Sequence, residues 1–229
     1  MNGQLKPGDI ALVTGDYGMG KTTFVKAWAF NFGRAVFWSA PTRQGAPPDY
    51  ADIARVVRSA SEMERACREC PFVVWPSPPL SEGQEARLTA FNDFCRVAMK
   101  LQKALVVCDE MQSLLPTKFL KDAPPAFRDL VELGHKAPGK LCKVFVAHRL
   151  AQIPLVLGGG AYRVSFRPFP GDDDALVPFF GRDGIEKMKR FGVGTFALWS
   201  QQNGAQLPLR YNGGTAPVGT SRNTQRGAT

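Results

Sequence analysis

The chain has 229 residues, of which 44% are hydrophobic, 21% charged and 10% aromatic. This composition is typical of a globular protein and excludes a wholly disordered chain, a collagen-like repeat and a coiled coil. A chain of this length buries enough surface to fold without disulfides or a structural metal. The five cysteines are scattered, and Cys67 and Cys70 have no second pair with which to complete a zinc site.

The net charge is +9, and much of it is concentrated between residues 112 and 170. Three acidic residues lie in that stretch against nine basic ones, which are Lys118, Lys121, Arg128, Lys136, Lys140, Lys143, Arg149, Arg163 and Arg167. A concentrated positive field favours a polyanionic partner, because neutralising phosphates releases counterions. Mild basicity is also common in proteins without such a partner, so charge alone leaves nucleic-acid binding open.

The two ends of the chain are polar. Residues 1–9 are not those of a signal peptide, and no apolar run approaches the roughly 18 residues of a membrane span. From residue 212 onward the chain is rich in Gly, Thr, Ser, Asn and Arg and has little to bury. We therefore predict one domain over residues 1–211, a flexible basic tail over residues 212–229, and no membrane segment.

Short apolar runs alternate with helical patterns, which predicts an α/β fold with a mainly parallel sheet flanked by helices. In chain order, the first half is predicted to contain a strand at 9–14, a helix at 21–32, strands at 35–39 and 53–57, a helix ending near residue 70, a strand at 72–75 and a long helix opening near residue 81. Two capping boxes, Ser61 with Glu64 and Ser81 with Gln84, are predicted to begin the last two of these helices.

The second half is predicted to continue this alternation and to end in a C-terminal β-hairpin. Its predicted elements are a strand at 104–108, a helix at 125–136, a strand at 141–147, a helix at 150–157, a strand at 162–166 and two short helices around Gly181 within 172–191. Residues 195–199 and 206–210 are predicted to pair around Asn203-Gly204, because this dipeptide is a strong turn signal.

The segment GDYGMGKT at residues 15–22 matches the phosphate-binding pattern G-x-x-x-x-G-K-[ST] in full, between an apolar strand and a helix. Its glycines let successive backbone N–H groups face a phosphate, and the helix that opens at Lys21 adds its positive dipole end. We expect Lys21 to contact the β- and γ-phosphates of ATP and the Thr22 hydroxyl to ligate Mg²⁺. The predicted nucleotide-binding residues are Gly15, Asp16, Tyr17, Gly18, Met19, Gly20, Lys21, Thr22 and Thr23.

A second half of this site is predicted where the strand at 104–108 ends in Asp109 and Glu110. Parallel sheets bind ligands at the carboxyl ends of their strands, where this pair would lie. We expect Asp109 to hold Mg²⁺ through water, and Glu110 to orient and deprotonate a water that attacks the γ-phosphate. Alone, the pair is better explained as a strand that ends in two solvated acids, but downstream of a P-loop the functional interpretation is favoured. A carboxylate next to the Mg²⁺-binding acid is more typical of NTPases that hydrolyse than of small-molecule kinases, so the pair favours hydrolysis.

The order of these motifs resembles the FtsK–HerA superfamily of DNA-pumping ATPases, and within it the genome-packaging ATPases of tailless, membrane-containing icosahedral phages. The resemblance covers about residues 8–200 and rests on GDYGMGKT, LVVCDE at 105–110, ELGHK at 132–136, VFVAHR at 144–149 and LAQIP at 150–154. It implies a RecA-like P-loop NTPase of the ASCE type that hydrolyses ATP to translocate DNA and package a viral genome into a preformed capsid.

The resemblance also implies roles for residues outside the two phosphate-site motifs. The family has a polar sensor, usually glutamine, followed by Arg-Pro, and here His148 and Arg149 stand there with Leu150 in place of proline. His148 is therefore the candidate sensor of the γ-phosphate or the attacking water, and a strand-capping histidine is the other interpretation. A neighbouring subunit supplies an arginine finger in this family, which implies a homo-oligomeric ring, commonly a hexamer. The candidate fingers are Arg128, Arg149, Arg163 and Arg167.

The partners implied by the resemblance are double-stranded DNA and the proteins of a capsid vertex. DNA would be held in a central pore by phosphate contacts without base readout. The candidate pore residues are Lys118, Lys121, Lys136 and Lys140. The resemblance implies a location in the host cytoplasm or at a capsid vertex of the virion.

Three other functions stay open at this point. A filamentous-phage assembly or export ATPase of the Zot-like kind has a similar motor domain, but those proteins usually carry a membrane span after it. A P-loop kinase for a nucleotide or another small acceptor needs an arginine-rich lid, for which residues 182–185 are a thin candidate. The third is a nucleotide-dependent assembly protein with negligible hydrolysis.

Overall fold

The computed structural model describes residues 5, 8–40, 46–115, 123–133, 141–150 and 160–210. Its strands are β1 (Ile10–Thr14), β2 (Ala35–Ser39), β3 (Arg55–Val56), β4 (Phe72–Pro76), β5 (Leu105–Cys108), β6 (Cys142–Ala147), β7 (Tyr162–Ser165), β8 (Thr195–Ser200) and β9 (Gly204–Arg210). Its helices are α1 (Lys21–Phe32), α2 (Ala60–Glu69), α3 (Gly83–Met99), α4 (Met111–Leu114), α5 (Pro125–Leu133) and α6 (Asp173–Met188). The predicted helix at 150–157 and the predicted tail lie largely or wholly outside the described residues.

The described strands form one sheet in the order β3-β4-β2-β5-β6-β1-β7-β8-β9. The pairings from β3 through β7 are parallel, and β8 and β9 add to this sheet in antiparallel fashion. This confirms the predicted α/β fold and its C-terminal hairpin. Strand β6 lies between β1 and β5 and is parallel to both. The chain segments that follow these three strands therefore meet at the carboxyl-terminal ends of the strands.

Helices cover both faces of the sheet, which explains why its central strands are apolar throughout. On one face, Phe24 and Val25 of α1 pack with Phe166 and Phe196. On the other, α2, α3, α5 and α6 cover an aromatic cluster that contains Trp38, Trp75, Phe91, Phe94 and Phe127. These two layers hold β1, β5 and β6 rigidly, and the site is built on their ends.

Both predicted capping boxes are wrong. Helix α2 begins two residues earlier than predicted, because Ser59 and Glu62 fit the same S-x-x-E pattern: the Glu62 N–H donates to the Ser59 hydroxyl at 3.3 Å. Helix α3 follows a 3₁₀ turn (Leu80–Glu82), and no side chain caps its first residue. The Gln84 side chain instead donates to the Leu114 carbonyl at 2.9 Å.

Other boundaries agree closely with the prediction. Helix α1 and strand β2 have the predicted ends, and α6 has its non-helical residue at Gly181 (φ 68°, ψ 165°), where two short helices were expected. The four-residue helix α4 was not predicted. Within the described part of the chain, no helix combines the length and the apolar composition that crossing a membrane requires.

Candidate nucleotide-binding site

The P-loop joins β1 to α1 by a backbone path that depends on glycine at two points. Gly15 has a φ of 135°, and a Cβ placed there would lie 2.7 Å from the Cβ of Phe166. Gly20, the N-cap of α1, has the left-handed conformation (φ 97°). These positions turn the chain sharply enough to begin α1 at Lys21, so the helix points its N-terminus at the loop.

Two segments from the carboxyl-terminal half of the chain form hydrogen bonds with the P-loop. The Asp16 N–H donates to the Arg167 carbonyl at 2.8 Å. The Arg167 guanidinium also lies 2.9 Å from a carboxylate oxygen of Asp16. The Gly194 N–H donates to the Met19 carbonyl at 3.0 Å. The side chain of Met19 is buried, whereas Tyr17 is 63% exposed.

The ammonium of Lys21 lies in the centre of the site and is almost fully enclosed, with the residue 6% exposed. Its Nζ donates to the carbonyls of Gly15 and Asp16, both at 2.8 Å, and lies 3.0 Å from Nδ1 of His148. An ammonium has three N–H groups, so these three acceptors use all of them. Burial lowers the pKa of Lys21 to about 8, although the carboxylates of Asp109, Asp16 and Glu110 act in the opposite direction.

His148 directly follows β6 and therefore lies between the P-loop, which follows β1, and the end of β5. Burial and the charge of Lys21 lower the pKa of His148 to about 4, so the ring is neutral at physiological pH. Because the Lys21 ammonium can only donate, Nδ1 of His148 is the acceptor and Nε2 carries the proton. The ring is also stacked on Tyr17, with a centroid distance of 3.7 Å.

The carboxylate of Asp109 is buried, and donors from two different segments hold it. One oxygen accepts from the Tyr50 hydroxyl at 2.7 Å, and the other accepts from the Glu110 N–H at 2.8 Å. Burial raises the pKa of Asp109, and these two hydrogen bonds oppose that rise. Burial and the charge of Asp109 also raise the pKa of Glu110, while Arg87 lowers it.

Asp109 and Thr22 fit the predicted magnesium site by the chemistry of their donors, since a carboxylate and a hydroxyl are the hard oxygen ligands that Mg²⁺ takes. Each Asp109 oxygen makes one of the hydrogen bonds given above and keeps lone pairs for a metal-bound water. In the part of the chain that the structure describes, no three His, Cys, Asp or Glu side chains group closely enough to hold a metal by themselves. Water and nucleotide phosphates would therefore complete the shell, as is usual for Mg²⁺.

Sequence reasoning missed Tyr50 and Arg167 as parts of this site. Tyr50 follows a segment that is rich in proline and glycine, and no spacing or motif distinguishes it. Its ring is buried against Phe37 at a centroid distance of 4.4 Å, which aims the hydroxyl at Asp109. Arg167 was predicted only as a candidate finger for a neighbouring subunit, but it contacts the P-loop of its own chain.

The four candidate fingers have different surroundings. Arg163 is buried with its guanidinium 3.7 Å from the ring centre of Phe179, and burial lowers its pKa to about 10. This argues against Arg163 as a finger. Arg128 and Arg167 are half-buried, whereas Arg149 is exposed next to His148, with its guanidinium 4.1 Å from the ring centre of Phe169.

The basic stretch between residues 112 and 170 is less exposed than its composition indicates. Lys143 is 1% exposed within β6 and donates to the Val131 carbonyl at 3.5 Å, and Arg163 is also in the core. Neither is placed to contact phosphates from the surface. The predicted pore lysines lie outside the described residues, and they are Lys118, Lys121, Lys136 and Lys140.

The fold and this arrangement are similar to those of P-loop NTPases. The structure is similar to the genome packaging NTPase B204 from Sulfolobus turreted icosahedral virus 2 in complex with AMP, with a TM-score of 0.67 and 14% identity over 90% of this chain and 100% of that chain. It is also similar to VirB4 of Thermoanaerobacter pseudethanolicus, with a TM-score of 0.65 and 8% identity over 88% of each chain. The predicted resemblance to FtsK–HerA ATPases is thus confirmed as a likeness of fold. No protein-family model and no curated protein matches the sequence.

Replacing Lys21 by methionine should stabilise the nucleotide-free protein while abolishing its affinity for ATP. The lowered pKa means that the folded state disfavours the charged ammonium, and removing it should add about 1–3 kcal/mol after allowance for the lost hydrogen bonds. Urea unfolding at pH 7 measures this gain. This gain should shrink as the pH rises from about 8 towards 10.5. In that range wild-type Lys21 is deprotonated in the folded state but still protonated in the unfolded state, so burying it costs progressively less.

Lys100→Met provides the control, since Lys100 is exposed and pairs with Glu64 at the surface. Its stability should change by less than about 1 kcal/mol at both pH values. A Lys21→Met protein that is less stable than wild type at pH 7 would show that the three hydrogen bonds outweigh the cost of burying the ammonium.

Proposed function

We propose that this protein is an ATP-hydrolysing DNA translocase that packages a viral genome into a preformed capsid. The observation that supports the proposal is that Lys21, His148 and the Asp109–Glu110 pair converge at the carboxyl-terminal ends of β1, β6 and β5. The fold shared with B204, which is named a genome packaging NTPase, supports the choice among the classes of P-loop NTPase. The proposal implies a location in the host cytoplasm or at a capsid vertex.

The proposed chemistry begins with the exchange of the hydrogen bonds of Lys21. The ammonium would leave the carbonyls of Gly15 and Asp16 and donate to the β- and γ-phosphates, which are better acceptors. Thr22, and Asp109 through water, would hold Mg²⁺, which would supply positive charge next to the phosphate oxygens. A neutral His148 would then be left beside the γ-phosphate with Nδ1 as an acceptor.

Glu110 is the proposed general base. Its carboxylate is half-buried at the end of β5, and burial together with the charge of Asp109 raises its pKa. A base with a raised pKa takes a proton from water more readily once it is ionised. The exposed Arg149 is the proposed finger, acting on the nucleotide of a neighbouring subunit in a homo-oligomeric ring.

Glu110→Gln should preserve ATP binding and reduce hydrolysis by about two orders of magnitude or more, because the amide cannot accept the proton of the attacking water. Calorimetric ATP affinity measured beside steady-state turnover tests this. Glu85→Gln, on the exposed face of α3, is the matched control and should leave both unchanged. Turnover that survives in Glu110→Gln would favour a kinase or a nucleotide-dependent assembly protein.

Turnover should rise when double-stranded DNA is added, and DNA affinity should fall steeply with salt but hardly depend on base sequence. For Z neutralised phosphates, the slope of log K against log salt is about −0.9Z. Two unrelated duplexes titrated over a salt series measure both properties. A flat salt response, a strong sequence preference or no effect of DNA on turnover would count against a translocase.

Mixing two inactive variants tests the ring. Lys21→Ala keeps its arginine but has no working site, and Arg149→Ala keeps its site but has no finger. In a one-to-one mixture, about a quarter of the interfaces would join an intact site to an intact arginine, so part of the turnover should return. The double variant Lys21→Ala/Arg149→Ala, mixed with Arg149→Ala, is the control and should restore nothing.

Turnover that is linear in protein concentration, with no rescue in the mixture, would mean that the site is complete within one chain. Equal rescue by the double variant would mean that Lys21→Ala subunits contribute something other than Arg149.

A further inference from the structure

Tyr50 connects three elements around the carboxylate of Asp109. Its hydroxyl donates to Asp109 at 2.7 Å, and its ring is stacked on Phe37 of β2 with an interplanar angle of 18°. The ammonium of Lys26, on α1, lies 5.7 Å from the centre of the same ring and pairs with Asp52 at 2.7 Å. The segment that contains Tyr50 is therefore fixed to α1, β2 and the end of β5 at once.

The backbone at this place adopts an unfavourable conformation. Among the described residues, three that are not glycine have a positive φ, and two of them are Tyr50 (71°) and Glu110 (53°). These two residues supply the donors that hold the two oxygens of Asp109. Such conformations persist only where the surrounding contacts impose them, and they are concentrated at functional sites.

Packing alone does not account for a tyrosine at this position. The ring is completely buried, and phenylalanine would make the same stack on Phe37 without bringing a polar group into the core. What the hydroxyl adds is one hydrogen bond to a carboxylate that the sheet has already buried. With the Glu110 N–H on the other oxygen, this bond fixes the plane of the carboxylate.

We propose that Tyr50 is a positioning residue for Asp109, whose carboxylate it holds in the orientation that receives the magnesium ion of a bound nucleotide. This inference rests on the proposed nucleotide-hydrolysing function. Partners of metal-binding side chains orient their ligands, and their loss commonly lowers metal affinity 10- to 100-fold. Lys26 belongs to α1, the helix that follows the P-loop, and it pairs with Asp52, two residues after Tyr50. The position of Tyr50 therefore also depends on α1.

The test is the Mg²⁺-dependent part of nucleotide affinity, measured by calorimetry with a non-hydrolysable ATP analogue. Tyr50→Phe should leave the affinity in EDTA within about twofold of wild type, because Lys21 and the loop N–H groups are untouched. In saturating Mg²⁺ its affinity should fall about tenfold, and the Mg²⁺ concentration for half-maximal binding should rise by a similar factor. Tyr162→Phe changes a buried tyrosine of β7, a strand that β6 and β1 separate from β5, and should match wild type in both conditions.

A double-variant cycle separates positioning from general damage. If Tyr50 acts through Asp109, then Tyr50→Phe should cost almost nothing further in an Asp109→Asn background. An equal loss of affinity with and without Mg²⁺, an additive loss in the double variant, or a Tyr50→Phe protein that does not fold would each assign the hydroxyl to structure and overturn the proposal. Wild-type binding that ignores Mg²⁺ would instead overturn the proposed function.

Discussion

The site depends above all on one desolvated charge, the ammonium of Lys21. This charge is held by two backbone carbonyls and by His148, whose pKa is lowered by burial and by the neighbouring ammonium. The carboxylates of Asp109 and Glu110 lie close enough to raise its pKa while burial lowers it. The ionisation of these groups is therefore coupled.

The rigidity needed to hold these charges comes from the sheet. Because β6 lies between β1 and β5, the three chain segments that carry the P-loop, His148 and the acidic pair leave neighbouring strands. Aromatic side chains on both faces fix those strands, so the site is preorganised by the core and not by the loops alone. Tyr50 and Glu110, which have a positive φ, lie outside the strands but are held in place by their hydrogen bonds to Asp109.

The sequence was sufficient for features with a local pattern. The P-loop, the Asp-Glu strand end and the kink at Gly181 each have a signature that a few adjacent residues define. It was insufficient where long-range contacts decide: Tyr50 reaches Asp109 only because Phe37 orients its ring. It also misled on charge, because composition does not reveal that Lys143 and Arg163 are buried. The roles of His148 and Arg149 remain predictions, although the structure places both at the expected edge.

The hydrogen bond from the Gly194 N–H to the Met19 carbonyl connects the P-loop to the residue that immediately precedes β8. Gly194 takes a φ of 76°, and it approaches the P-loop so closely that a Cβ on Gly20 would lie 3.6 Å from its nitrogen. This contact links the loop directly to the C-terminal hairpin, whose outer strand β9 is the last strand of the sheet on that side. The P-loop, in the middle of the sheet, is thus connected to the edge strand β9 through this hydrogen bond and the β8–β9 hairpin.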